Sequence, residues 1–424
     1  MDLVSAALTA AEIIAVGSEL LGWSRLDTNS LFITEQLATL GIDVKGKSVV
    51  GDDRERLRAV FTESFRRSDL VILTGGLGPT DDDLTREVVA AALALPMSED
   101  PEITAAIARR FSRRGLEMPD VNRRQAMVPR GATPLPNPLG SAPGLFIEAE
   151  GKVVVLLPGP PRELQPMFTA LCERGFLVAR AGAERVFKVS VFTTQRSESH
   201  VEELVQPIYS RWRDEKPPIE TTILATPGQV ELHLSLRAAD EPAAMKRLES
   251  ARQQLVGVLG DSAFTTDGRP LHRLVGDMLR DRRLTLAAAE SCTGGLFLER
   301  LTGVPGSSDY VAGGIVAYTN TLKTTLLGVE PALLEQHGAV SEPVAAAMAE
   351  GMRERSRAEV SIAITGIAGP GGGSPEKPVG TVVIAVLAPG RPMSIRTHSF
   401  PGGREHVRFQ ATQAALDTLR RLLL

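Results

Sequence analysis

Leu70-Val-Ile-Leu-Thr-Gly-Gly-Leu-Gly-Pro-Thr-Asp-Asp-Asp83 is the stretch on which the reading of the fold turns. Its first four residues are uniformly apolar, which suits a short strand buried on both faces. The run opens into Thr74-Gly-Gly-Leu-Gly-Pro-Thr80, and residues 82–95 have helical character. Strand, glycine turn and helix make a βα unit, the building block of a mostly parallel sheet that holds ligands at the carboxyl ends of its strands. Working outward, residues 13–16, 44–50 and 153–157 repeat the strand pattern, and residues 30–40 and 54–67 repeat the helical one. The first 160 residues therefore alternate βα units.

Further along, residues 186–192 and 230–236 alternate as half-buried antiparallel strands, and 197–213 and 242–259 are amphipathic helices. Two strands and two helices make a small α+β module, with 213–218 as a surface loop and 260–270 as the next boundary. Residues 284–289, 311–317, 360–365 and 379–387 are strand candidates of a second α/β unit. A helix over 406–423 closes the chain, with Phe409, Leu416, Leu419 and Leu423 on one stripe. The predicted fold class is α/β: two α/β domains with mainly parallel or mixed sheets, at 11–170 and 268–424, joined by a small α+β module at 182–260.

The chain has 424 residues, enough for roughly two or three domains at ~150 residues each. A net charge of −4 and 4% aromatic residues argue against nucleic acid and anionic membrane as partners. No apolar run approaches the ~20 residues of a membrane span. The first eleven residues carry Asp2 and no Lys or Arg, unlike a secretory leader. Cys172 and Cys292 are too few for a disulfide framework or a cysteine zinc site, so a reduced, cytoplasmic protein is expected.

Two motifs carry chemistry. In the first, Gly75, Gly76 and Gly78 allow close backbone approach, and Asp81, Asp82 and Asp83 sit where a helix should begin. One Asp would cap that helix; three in a row also suit a divalent ion bridging to phosphate oxygens, and spacing leaves both readings open. The pattern is neither a dinucleotide fingerprint nor a Walker loop. Small-residue and polar clusters flank it: Gly17-Ser-Glu-Leu-Leu21, Asp27-Thr-Asn29, Asn137-Pro-Leu-Gly-Ser-Ala-Pro-Gly144 and Pro158-Gly-Pro-Pro-Arg-Glu163. In the second motif, Glu290-Ser-Cys-Thr-Gly-Gly295 turns a buried strand into a helix. Ser291 at such an elbow lies near N–H groups able to hold an oxyanion. With no histidine nearby, Lys323 could act as its base if burial lowers its pKa, with Tyr318 relaying or orienting the proton. Ser291 as a cap, Lys323 as a solvated helix residue and Tyr318 as a core edge remain open. Cys292 is the rival nucleophile and otherwise a packing residue. Thr365-Gly-Ile-Ala-Gly-Pro-Gly371 offers a loop for phosphate, with Arg404 as a fork-shaped partner.

Ala15-Val-Gly-Ser-Glu-Leu-Leu21, Asp27-Thr-Asn29, Thr74-Gly-Gly-Leu-Gly-Pro-Thr-Asp-Asp82 and Pro158-Gly-Pro-Pro-Arg162 resemble the amino-terminal domain of the CinA (competence/damage-inducible protein A) family, which is similar to molybdopterin-binding domains. The resemblance implies an ADP-ribose pyrophosphatase dependent on a divalent metal (Mg, Mn or Co), with potassium as an auxiliary ion. By that resemblance Asp81, Asp82 and Asp83 hold metal, and Glu19, Asp27, Asn29, Gly75, Gly76, Gly78, Thr80, Ser141 and Arg162 bind substrate. Residues 1–10 are an extension to which no function is assigned.

Ala288-Ala-Glu-Ser-Cys-Thr-Gly-Gly295, Gly313-Gly-Ile-Val-Ala-Tyr-Thr-Asn320 with Lys323, and Thr365-Gly-Ile-Ala-Gly-Pro-Gly371 resemble the family's carboxy-terminal domain, a nicotinamide-nucleotide amidase. This implies metal-free hydrolysis of nicotinamide mononucleotide to nicotinate mononucleotide and ammonia. Ser291 is then the nucleophile and Lys323 the base, with Tyr318 and Thr365 assisting. Thr293, Gly294, Gly295, Asn320, Gly366, Gly369, Gly371 and Arg404 then line the substrate site. The middle module resembles the family's KH-like spacer, but its only Gly-x-x-Gly string, Gly257-Val-Leu-Gly260, falls at the end of a helix. A spacer or dimerisation role is expected rather than RNA binding, and the protein is expected to be a homodimer.

Overall fold

A computed structural model describes residues 7–23, 25–173 and 175–424. The chain forms two compact units: one takes residues up to Phe187 with Arg237–Ala244, the other Lys188–Leu236 with Met245–Leu424.

The first unit is built on β1 (Ala10–Val16), α1 (Asn29–Thr39), β2 (Asp43–Val50), α2 (Arg54–Arg67), β3 (Leu70–Thr74) and α3 (Thr85–Ala92). It continues with β4 (Met97–Glu99), α4 (Pro101–Ser112), β5 (Met127–Pro129), β6 (Thr133–Leu135), β7 (Gly144–Ala149), β8 (Lys152–Leu157) and α5 (Pro161–Glu173). The six-stranded sheet has the order β2-β1-β3-β8-β7-β6. β2, β1, β3 and β8 run parallel, and β7 and β6 are antiparallel additions. Every residue of β3 is buried because helices cover both faces, whereas edge strand β2 alternates. Ile13, Ile72 and Val155 enter one core, and Ile14, Leu73 and Leu156 the other. The chain passes from β1 to β2 on one side and then to β3 on the other, which opens a crevice between β1 and β3 at their carboxyl ends.

One expectation fails here. The predicted helix over 82–95 begins only at Thr85, with Leu84 at the cap position and no side-chain cap bond. Asp81–Asp83 therefore occupy a turn before the helix, and the cap reading of them is wrong. In the amino-terminal extension, residues 1–6 lie outside the described residues, but Leu8 is buried in the core and its N–H donates to Arg180 O at 2.7 Å.

The remainder contains β9 (Arg185–Thr194), α6 (Glu198–Trp212), β10 (Ile219–Thr226), β11 (Gln229–Ala238), α7 (Glu241–Leu259) and β12 (Ala263–Thr265). The expected two strands become a sheet in the order β10-β11-β9-β12, and part of the supposed 260–270 boundary is the edge strand β12. Next come α8 (Leu271–Asp281), β13 (Leu286–Glu290), α9 (Leu296–Thr302), β14 (Val311–Val316), α10 (Asn320–Leu327), α11 (Pro331–His337) and α12 (Glu342–Ser356). The chain ends with β15 (Val360–Gly366), β16 (Thr381–Leu387), β17 (Ser394–Ser399) and α13 (Arg404–Leu423). The five-stranded sheet is ordered β14-β13-β15-β16-β17, with β14, β13 and β15 parallel. β13 faces Ala288 into the core under α8 and α13, and Ala287 and Ala289 into the core under α12. Again the chain reverses about the first strand, so the crevice falls between β13 and β15.

Candidate functional sites

At the first crevice the chain leaves β1 at Gly17, β3 at Gly75 and β8 at Pro158. Gly75 has φ +95°, and a Cβ there would lie 2.2 Å from Val16 O, so only glycine lets the turn cross the end of β1. A cavity of 410 Å³ is lined by Glu19, Gly75, Gly76, Gly78, Asp82, Asp83 and Ser141, together with Asp52 and Glu163. A second, of 270 Å³, shares Glu19 and Gly159 with it and adds Arg25, Asp27 and Asn29. Asn29 donates through Nδ2 to Gly159 O at 2.7 Å, and its Oδ1 is buried without a partner. Asp27 accepts from Ser30 N at 3.0 Å.

The three consecutive aspartates do not converge. Asp83 accepts from Thr80 N at 2.9 Å and from Thr80 Oγ1, Asp81 pairs with Arg124 at 3.0 Å, and only Asp82 and Asp83 line the cavity. Among the described residues no group of three His, Cys, Asp or Glu side chains is placed to hold a metal ion. An all-protein cage of Asp81, Asp82 and Asp83 is therefore absent. What the donor set does fit is a divalent ion shared between one or two carboxylates and a ligand's phosphates. The larger cavity has five carboxylates and no Lys or Arg in its lining, so a phosphate would enter it only with a cation. Thr80 lines neither cavity, nor does Arg162, which is exposed. Sequence reasoning passed over Asp52 and the pair Arg86 and Arg124, and it quoted Glu163 only as the last residue of a strand-exit cluster. Arg86 is 2% exposed and donates to Leu77 O at 2.9 Å and Arg124 O at 3.0 Å, which pins the glycine loop. Burial pushes it down to about 10, so it stays cationic at neutral pH.

At the second crevice Ser291 follows β13 directly, and its N–H donates to Ile364 O at 2.9 Å. Gly294 and Gly295, with φ +60° and +95°, turn the chain into α9. The helix is capped not by Ser291 but by Glu290, a fully buried carboxylate. It accepts from Gly295 N at 2.9 Å, Phe297 N at 3.1 Å and Leu298 N at 3.0 Å. Glu290 thus consumes the helix-terminal donors expected to hold an oxyanion. Among the described residues, however, no acceptor takes the N–H of Cys292 or Thr293, the two that directly follow the serine.

Lys323, from the first turn of α10, is 1% exposed rather than solvated. Its Nζ lies 3.1 Å from Ser291 Oγ, 2.9 Å from Ala317 O and 3.4 Å from Tyr318 O. Burial lowers its pKa from the ordinary lysine value. A neutral amine has two hydrogens and one lone pair. In that form the two carbonyls would accept the hydrogens and leave the lone pair for the serine hydroxyl. Cys292 is 5% exposed in the core, and burial pushes its thiol up to about 12, so it is no thiolate.

The other candidates are spread about this pair. Tyr318 is 55% exposed, so it is not a core edge; its OH accepts from Arg404 at 2.9 Å, and Arg404 also donates to Gly369 O at 2.8 Å. Thr365 Oγ1 donates to Ala339 O at 2.8 Å and makes no bond to the serine or the lysine. Thr293 is buried, with its carbonyl held by Arg408 at 2.7 Å and its Oγ1 unpartnered. Asn320 opens α10 and is exposed, as is Gly371; Gly366 ends β15. Glu290 and Arg408 were missed. An acid preceding a Gly-Gly helix entry was the available signal for the first.

Comparisons with known proteins match the same two segments. Residues 268–423 match the CinA C-terminal domain, and residues 12–176 match a probable molybdopterin binding domain. A CinA-like protein of Koribacter versatilis is 45% identical over 98% of this chain and 100% of its own length. A putative competence-damage inducible protein of Symbiobacterium thermophilum is 46% identical over 98% of this chain and 99% of its own. The crystal structure of a competence/damage inducible protein from Agrobacterium tumefaciens is 42% identical and covers 36% of this chain and 93% of its own, with a TM-score of 0.35. With relatives this similar from end to end, the chain belongs to the CinA family, carrying a molybdopterin-binding-like domain ahead of a CinA carboxy-terminal domain.

Proposed function

We propose that the carboxy-terminal domain hydrolyses the carboxamide of nicotinamide mononucleotide, giving nicotinate mononucleotide and ammonia. The observation that carries this reading is Ser291 Oγ 3.1 Å from the Nζ of a buried lysine whose other contacts are two backbone carbonyls. Neutral Lys323 takes the hydroxyl proton as Ser291 attacks the amide carbon, and the N–H groups of Cys292 and Thr293 receive the developing oxyanion. The protonated lysine returns that proton to the nitrogen as the C–N bond breaks and ammonia leaves. Water then attacks the acyl-serine ester, with Lys323 again taking the proton, and the carboxylate and free serine result. Among the described residues Arg404 donates to the neutral Gly369 O and Tyr318 OH and to no carboxylate, which suits the substrate phosphate. Ser291→Ala should abolish ammonia release from nicotinamide mononucleotide; retained release would reject the assignment.

The amino-terminal domain is proposed to hydrolyse ADP-ribose at its pyrophosphate. The acidic cavity at the β1/β3 crevice supports this reading, since it would admit a pyrophosphate only together with cations. Asp82 and Asp83 would hold a divalent ion, which supplies charge neutralisation of the phosphoryl oxygens when bound. Asn29, with its unpartnered Oδ1, would accept a hydrogen bond from a substrate hydroxyl or amino group. The match to a probable molybdopterin binding domain favours a second reading, pterin binding without hydrolysis. Pterin fluorescence in the purified protein, with no turnover of ADP-ribose, would select it.

A further inference from the structure

Arg300 on α9 is a partly buried cation that neither proposed reaction uses. Its guanidinium lies 4.5 Å from the centre of the Phe409 ring and donates to Thr412 Oγ1 at 2.6 Å and Gln413 Oε1 at 2.7 Å. Both partners are neutral. Among the described residues no carboxylate comes within 4.0 Å of it, whereas the buried Arg420 is paired with Asp417 and the buried Arg86 is held by two carbonyls. Burial pushes Arg300 down to about 10, which leaves it charged at neutral pH. A partly buried cation with no directly bonded counter-ion loses hydration that its two neutral partners replace only in part. Only two of its five N–H donors are engaged.

A cavity of 500 Å³ opens onto this group. Pro227 from the β10–β11 turn, Pro270, Phe409 and His272 contribute to its wall, and Glu299 also borders it. Glu299 is exposed, so its charge is the one best screened by water. His272 Nδ1 is buried with no partner, and burial together with the charge of Arg300 keeps its pKa below the usual imidazole value. The cavity therefore offers a guanidinium fork with no directly bonded carboxylate, an imidazole with an open hydrogen-bonding position, and apolar walls. Its volume falls in the range of small-molecule sites. None of the residues assigned above to either reaction lines it.

We propose that this cavity binds a phosphate monoester, with Arg300 gripping the phosphoryl oxygens, His272 adding a hydrogen bond, and the organic part lying against Pro227 and Pro270. The guanidinium fork matches two phosphoryl oxygens at once, which a point charge does not. Free phosphate, a sugar phosphate and a nucleoside monophosphate share the recognised group, and the apolar walls favour the two esters. AMP and ribose 5-phosphate are also the two halves expected from ADP-ribose hydrolysis, but the argument for the site does not depend on that reaction.

The test is calorimetric titration of the full-length protein with AMP, ribose 5-phosphate and inorganic phosphate in turn. Arg300→Met keeps the stem over Phe409 and removes the charge. Pro227→Glu alters only an exposed turn and places a carboxylate at the cavity, so it remains informative if the first variant misfolds. Arg404→Ala and Asp83→Asn control for the two proposed reaction sites. The proposal expects a binding event for at least one ester that both Arg300→Met and Pro227→Glu weaken by about tenfold or more and that both controls retain. An event seen with inorganic phosphate alone would overturn the ester assignment. Affinity unchanged in Arg300→Met or Pro227→Glu, an event lost only in a control, or no binding at millimolar ligand would overturn the site. Because binding is read without turnover, failure here is distinct from failure of the proposed reactions.

Discussion

At Lys323 the same burial that would make it a base in the proposed reaction also costs stability, and the two effects can be separated. Replacing it with Arg keeps a cation that cannot deprotonate at accessible pH. Ammonia release should fall by about 10²–10⁴-fold, the usual contribution of a general base. In the wild type kcat/KM should rise with pH through an apparent pKa below the free-lysine value of ~10.4, as the fraction of neutral amine grows. The stability consequence follows from the lowered folded pKa. Below that pKa the side chain is protonated in both states, and the folded state bears the full desolvation cost. Between the folded and unfolded values the unfolded chain binds more protons, so stability rises with pH. Lys323→Met should therefore raise Tm at neutral pH, with the advantage shrinking as pH approaches ~10.4; a constant difference across pH would contradict the burial argument. The sequence offered Lys323 as the base for Ser291, but neither its burial nor its approach to a serine 32 positions away could be read there. The motifs named both, but only the path of β14 back beside β13 brings α10 over the elbow.

On the scale of elements, both crevices form where the chain reverses about its first strand, and each site depends on the turn that leaves that strand or its neighbour. Strands were legible wherever burial on two faces makes them uniformly apolar, as in β3, β8 and β15. Helices α4 and α12 and strands β10 and β17 were not. Exposed strands such as β10 and β17 carry at least as many polar as apolar residues, so they lack an apolar run to mark them. The Asp81–Asp83 run was misread because three adjacent acids look like one cluster, whereas alternate side chains of a turn find different partners. That separation is testable. Asp83→Asn should cut ADP-ribose turnover by at least tenfold, while Asp81→Asn, which loses only an exposed pair with Arg124, should retain most of it. Equal losses would restore the three-carboxylate cluster. In the second crevice, Glu290→Gln leaves one amide oxygen to serve three N–H groups. Charge-assisted bonds of this kind are worth ~1.5–3 kcal/mol, so Tm should fall by several degrees. If Glu290 positions the serine rather than merely stabilising α9, kcat should drop with KM little changed at a temperature where the variant is fully folded.

At the scale of the whole molecule, the two sites call on different chemistry. The proposed amide hydrolysis at Ser291 would draw its base and oxyanion donors from protein groups, while the acidic first crevice would need cations to admit a pyrophosphate. Among the described residues no helix is long and apolar enough to cross a membrane, and the two family segments account for most of the chain. The measurement that tests the account most directly is one assay of both activities, ammonia release from nicotinamide mononucleotide and cleavage of ADP-ribose, on wild type and Ser291→Ala, each with and without chelator. The account predicts that chelator silences only ADP-ribose cleavage and that Ser291→Ala silences only ammonia release. Ammonia release that survives Ser291→Ala in a folded protein, or that disappears with chelator, would contradict it.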